Sequence, residues 1–245
     1  MQWLLRYYQS GGNGVIRHLL FHLWPVERPA TWRVRVRQLK QRWELFNGVK
    51  AVSVAVGPGT VTLAEVQAEF SNPGIVWQEV PNDPRRWELA SWHWLWEQLP
   101  ADGAAFYCHG KGSRFTEAER PGVHAWTSMM FSAALDHWPL VERRMRQAVF
   151  AGSLRVYGAH PESEFHYAGG FYWANLAKLG NKAQDVDGHF WGSELFPGRH
   201  CGWQDAGLLF QPQGTGVYDW YMWTPKLQAQ WDRWLVIHRA LRGTP

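Results

Sequence analysis

The residues best suited to chemistry stand at the end of an apolar run. Phe106-Tyr107-Cys108 leads directly into His109-Gly110-Lys111-Gly112, a cation carried on a turn between two glycines, with Arg114 close behind. Glycine lets the backbone turn tightly and approach a ligand, and a lysine ammonium is a compact positive charge that suits phosphate oxygens. If the apolar run is a buried strand of an open parallel sheet, this turn lies where such sheets bind ligands, outside the carboxyl ends of the strands. An ordinary loop with a solvated lysine is the competing reading of so short a motif.

A second cluster runs Phe165-His166-Tyr167-Ala168-Gly169-Gly170-Phe171-Tyr172-Trp173-Ala174. Its two glycines separate the end of a polar and aromatic strand from an expected helix start. Such a junction turns backbone N–H groups toward a ligand, with Tyr172 and Trp173 as an apolar wall. A buried turn filled with aromatics is the alternative. Two carboxylates are candidates for a general base: Glu194 in Trp191-Gly192-Ser193-Glu194, and Asp205 in Cys201-Gly202-Trp203-Gln204-Asp205. A carboxylate among glycine and tryptophan is partly desolvated, which raises its basicity. A surface carboxylate competes with this for Glu194 and is favoured for Asp205. His22 closes the expected first strand, where it either meets a nucleobase or ribose or simply packs. Asp185-Val186-Asp187-Gly188 follows a helical segment and lacks the continuation of a calcium loop, so it is read as an acidic turn.

The elements that must hold these groups alternate regularly. Val15 to Leu23, Val49 to Val56, Ile75 to Val80 and Gly103 to His109 read as buried strands. Between them lie expected helices: one capped by Thr31 and running to Phe46, one from Thr60 to Phe70, and a tryptophan-rich one from Trp87 to Leu99. Near-continuous apolar strands alternating with helices predict a parallel sheet covered on both faces, a doubly wound α/β arrangement. Beyond it, Val123 to Met145 is expected to be helical with a break near Trp138-Pro139. Leu154 to Tyr157 is expected as a further strand, and a closing helix starts at Thr224-Pro225.

Composition narrows the classes. At 245 residues and 46% hydrophobic content the chain can bury a large core, and a single domain over 1–245 is expected, with residues 1–112 as a nucleotide-binding half and 113–245 as a second half. A net charge of +4 favours anionic partners without choosing among them. Two cysteines are too few for a disulfide scaffold, and with no signal-peptide core or transmembrane run a cytoplasmic protein is expected. The 18 tryptophans are read chiefly as packing, although an indole face also stacks on the C–H face of a pyranose ring. There is no G-x-G-x-x-G after the first strand, no Walker loop, no G-x-S-x-G elbow and no H-E-x-x-H or C-x-x-C pair. These absences argue against dinucleotide dehydrogenases, P-loop enzymes, serine hydrolases of the elbow type and zinc sites.

Taken together, Tyr107 to Gly112, Trp126 in the following helix, and His166 to Ala174 resemble a group of small bacterial and viral glycosyltransferase-like proteins. In that group a strand ends in a His-x-Lys-Gly turn and a later segment reads approximately His-Tyr-x-Gly-Asn-Phe-Trp-Trp-Ala; this chain departs from the pattern at Gly170 and Tyr172. The resemblance covers most of the chain and implies a GT-A, nucleotide-diphospho-sugar transferase fold. It implies transfer of a sugar from a nucleotide diphosphate sugar to a hydroxyl acceptor on a glycan, a small molecule or a modified nucleic acid. His22, His109, Gly110, Lys111, Gly112 and Arg114 would then bind the donor, and His166, Tyr167, Gly169, Gly170, Tyr172 and Trp173 the sugar and acceptor. His109-Gly110-Lys111 stands where most such enzymes carry an Asp-x-Asp metal motif, so cations would steady the leaving diphosphate and no metal or other cofactor is expected. A non-catalytic sugar or nucleotide binder is one alternative. A phage-type DNA-modifying enzyme is another, prompted by Arg33, Arg35, Arg37, Lys40 and Arg42 on one helix, although that spacing spreads them round the cylinder.

Overall fold

The computed structural model describes residues 14–110, 120–180, 186 and 192–240. The four apolar runs of the first half become β1 (Arg17–Leu23), β2 (Lys50–Val56), β3 (Ile75–Pro81) and β4 (Ala104–His109). Every residue of β1 is buried, as a strand covered on both faces requires.

The connecting helices are shorter than their hydrophobic periodicity suggests. In α1 (Trp32–Lys40) the chain tightens after Leu39, because the Arg42 guanidinium takes the Gln38 carbonyl at 2.9 Å while the Arg42 N–H turns to Leu39. A 3-10 turn at Trp43–Leu45 follows. Thr31 itself has helical backbone angles and makes no capping hydrogen bond, since a cap needs extended backbone. Thr62 does cap α2 (Leu63–Phe70), in a reciprocal box with Glu65. The expected helix from Trp87 to Leu99 divides into a 3-10 turn, Trp87–Ser91, and α3 (Trp92–Glu97). Next come α4 (Arg120–Leu135) and α5 (Trp138–Gln147), with Pro139 in the first turn of α5.

The remaining elements are β5 (Phe150–Gly152), β6 (Arg155–His160), β7 (Ser163–Tyr167), β8 (Tyr172–Asn175), α6 (Leu176–Leu179), α7 (Gly192–His200), β9 (Ala206–Leu208), α8 (Val217–Met222) and α9 (Pro225–Ala240). Seven strands form one sheet in the order β3-β2-β1-β4-β8-β5-β9, and β6 and β7 pair as a separate hairpin. Both halves of the chain thus contribute to the same sheet. β1 to β4 pair in parallel, whereas β8 runs antiparallel to both β4 and β5. The segment after Gly170, expected to start a helix, is therefore a strand: Tyr172, Trp173 and Ala174 complete the hydrogen-bond ladder between β4 and β5 before the short α6 begins.

Alternation along the strands divides the core. Leu19, Phe21, Leu23, Phe106, Cys108 and Trp173 face α1, α2, α4 and α5. Leu20, Ala105, Tyr107, Tyr172 and Ala174 face α3 and α7. The arrangement is a mixed α/β fold around a mainly parallel sheet with helices on both faces. Both cysteines are free, and among the described residues no helix is long and apolar enough to cross a membrane.

Candidate functional site

Strand order reverses between β1 and β4, because the chain winds outward from β1 through β2 to β3 and then returns to add β4 on the other side. Crevices at such switch points are where open α/β sheets take ligands. Parallel register sets His22 of β1 level with His109 of β4 and with Ser53 of β2, so the three side chains share one face, with the two histidines at the carboxyl ends of their strands. The Gly110 N–H closes the rim by donating to the His22 carbonyl at 2.8 Å.

Each histidine has a defined role in hydrogen bonding. His109 lies 2.8 Å from the Gly169 carbonyl through Nε2; a carbonyl only accepts, so Nε2 carries the proton. His22 Nδ1 is 2.7 Å from Ser91 Oγ, whose hydroxyl donates to the Glu88 carbonyl at 3.3 Å. That direction makes Nδ1 the donor and leaves the lone pair on Nε2. Burial pushes the His22 ring down to about 4 against the raising pull of Glu88, and His109 lowers it a little further. His22 is thus a neutral imidazole at physiological pH.

Antiparallel β8 brings the glycine pair to the same rim, since its first residue, Tyr172, pairs with Tyr107 near the end of β4. Gly169 and Gly170 both have positive φ, 91° and 65°. A Cβ on Gly169 would stand 2.8 Å from Met130 Sδ, and at φ 91° a side chain there is strained even if the methionine end gives way. A Cβ on Gly170 would stand 3.4 Å from both Glu194 Cγ and His109 Nε2. Gly170 therefore marks the point where β4, the glycine turn and α7 meet.

Glu194, buried to 7% exposure, is placed there by the first turn of α7. Pro197 has no N–H to give the Ser193 carbonyl four residues back, and the Tyr172 hydroxyl supplies the missing donor at 3.1 Å. Ser193 Oγ in turn donates to Glu88 Oε1 at 2.8 Å. The turn bearing Glu194 is held from both sides. Further along, α7 passes so close to β7 that a Cβ on Gly198 would lie 1.8 Å from the Phe165 carbonyl oxygen.

Several expected site residues have other work. Trp173 is fully buried, donates through Nε1 to the Ala134 carbonyl at 2.9 Å and packs on Phe106 and Trp138. Tyr167 is equally buried and donates to the Gly207 carbonyl at 2.6 Å. Tyr172 is the strut just described; burial keeps both tyrosine hydroxyls protonated by raising them above their ordinary range. These three do not form an open wall, because strand alternation sends them into cores on both faces. His166 is buried in β7 opposite Val156. Asp205 is exposed in a 3-10 turn, Trp203–Asp205, at the amino end of β9, which the register sets at the opposite rim from His109. Lys111, Gly112, Arg114, Asp185, Asp187 and Trp191 lie outside the described residues.

Three participants escaped the sequence reading: Glu88, Ser91 and Ser193, all buried. Glu88 and Ser91 carried a signal, for Glu88, Ser91, Trp92, Leu95 and Trp96 follow helical spacing and place a carboxylate on the apolar stripe. Trp87, just before Glu88, holds a left-handed φ of 48°, a strained conformation for so bulky a residue. Its ring meets that of Trp24 edge to face, with centroids 6.2 Å apart, and both are partly exposed just beyond the end of β1. The aromatic wall at this rim thus comes from Trp24 and Trp87. Among the described residues no three His, Cys, Asp or Glu side chains are grouped to hold a metal ion.

No protein-family model matches this chain, and no curated protein matches it.

Proposed function

We propose that the chain is a glycosyltransferase of the GT-A type that moves a sugar from a nucleotide diphosphate sugar to a hydroxyl acceptor without an Asp-x-Asp metal site. The observation that carries this reading is the convergence of His22, His109, the Gly169-Gly170 turn and Glu194 at the β1/β4 switch point. Trp24 and Trp87 offer apolar faces to the nucleoside, and the lone pair on His22 Nε2 accepts a hydroxyl or N–H proton. The Gly110 turn leads into Lys111 and Arg114, whose charges neutralise the departing diphosphate. In an inverting transfer Glu194 takes the acceptor hydroxyl proton as that oxygen attacks the anomeric carbon. The bond from that carbon to the diphosphate breaks, and its electron pair leaves with the diphosphate.

Two features support this reading over the alternatives. A buried carboxylate on a turn braced at the neighbouring Ser193 suits a base better than a passive binder requires. Of the five basic residues from Arg33 to Arg42, Arg33 pairs with Glu69, Arg42 with Asp136, and Lys40 bonds the Glu69 carbonyl, Arg35 is buried and Arg37 is exposed; one such cation is a poor match to a DNA backbone.

A thermal-shift panel of nucleotide diphosphate sugars, run with and without manganese and chelator, tests the proposal. A rise in melting temperature specific to one donor and indifferent to chelator is expected. Stabilisation by none of the donors overturns the class, and stabilisation abolished by chelator overturns the metal-free donor site.

A further inference from the structure

The exposed large aromatic side chains among the described residues are Tyr157, at 53% of its surface, and Trp203, at 42%, and they touch each other. Their ring centroids lie 6.3 Å apart with planes at 82°. Arg155 fixes the pair: its guanidinium carbon stands 5.1 Å from the Tyr157 ring, 5.6 Å from Trp203 and 5.8 Å from Phe165. Nη1 of the same guanidinium donates to the carbonyls of Trp203 at 2.7 Å and Ala206 at 3.0 Å. The Trp203 N–H is held in turn by Glu164 Oε2 at 3.3 Å. The guanidinium covers one side of each ring and holds both in place, and the rest of the two rings forms a joint exposed aromatic surface.

The rim of this platform is polar and acidic. Glu164, Gln204 and Asp205 are exposed, and the Gln204 Oε1 and Glu164 Oε2 atoms both approach Gly202, at 3.1 and 3.4 Å from where its Cβ would be. Carboxylate and amide oxygens beside an indole face match a pyranose, whose C–H face stacks while its hydroxyls donate at the edge. A phosphate-bearing chain would meet two carboxylates instead, which costs it affinity. We propose that Tyr157 and Trp203 form an accessory binding platform for neutral glycans, separate from the switch-point site and at the opposite rim of the sheet.

The test is a titration of ¹⁵N-labelled protein with neutral gluco-, galacto-, manno- and N-acetylglucosamine oligosaccharides, following the Trp203 indole N–H in the native chain and the backbone amides of Gly202 and Gln204 in all variants. A saturable shift with at least one oligosaccharide is expected, weakened tenfold or more in Tyr157→Ala and Trp203→Ala. Tyr157→Ala is the safer variant, because its side chain is mostly outside the core. Donor-induced thermal stabilisation should be unchanged in it, so the platform and the transferase reading can fail separately. No Trp203 shift with any of these sugars overturns the platform, as does binding undiminished in both variants. Concentration-dependent dimerisation abolished by Tyr157→Ala overturns it too, since the face would then join two copies of the chain.

Discussion

Gly170 stands between Glu194 and His109, where a Cβ would lie 3.4 Å from an atom of each. On the transferase reading, Glu194→Gln should keep donor-induced stabilisation and lower turnover by about 10²- to 10⁴-fold, the usual contribution of a positioned base; unchanged turnover would reduce Glu194 to a structural residue. His22 makes a prediction that needs no substrate. With its native value near 4 and an ordinary value of 6.5, the unfolded chain binds the extra proton between those limits, so stability is full above pH 6.5 and falls as pH drops toward 4. The whole shift is worth on the order of 3 kcal/mol. Urea unfolding across that window should show the loss in the native chain and a shallower slope in His22→Gln; equal slopes would mean that His22 is solvated. Glu194 and His109 were legible because a carboxylate or imidazole beside glycines is conspicuous in sequence. Tyr167, Tyr172 and Trp173 misled because an aromatic near a glycine turn reads alike whether its strand is open on one face or buried on both.

At the scale of elements, α7 is the part on which the candidate base depends. Gly198→Ala would drive a methyl group into the Phe165 carbonyl, which no side-chain rotation relieves. The expected outcome is a helix displaced from β7, seen as a lower melting temperature and as loss of donor stabilisation beyond that of Glu194→Gln. Melting like the native chain would show that α7 can slide without penalty. The periodicity of Trp87 to Leu99 announced a helix but not its division at Ser91–Trp92, since a 3-10 turn and an α-helix set nearly the same residues on one face. The strand character of Tyr172 to Asn175 was hidden for a similar reason: four residues are too few to show a period of two.

The whole molecule rests on a sheet whose first four strands were readable as apolar runs between turn signals, and whose later strands were not. β5 and β9 have three residues each, shorter than any pattern can register. Trp173 ties the two halves together, on β8 beside β4 and under α4 and α5. Trp173→Ala should cost about 3–5 kcal/mol and lower the melting temperature by on the order of 10 °C; calorimetry showing one shifted transition would fit a shared core, whereas two separated transitions would mean that the halves unfold independently. The reversed direction of β8 has a final consequence. A strand that enters where its neighbours exit delivers its leading loop, Gly169 to Phe171, to the same mouth as theirs. Two left-handed glycines and a buried phenylalanine make up that loop, so on the transferase reading this side of the mouth keeps one shape, and variation in what enters it must come from elsewhere on the rim.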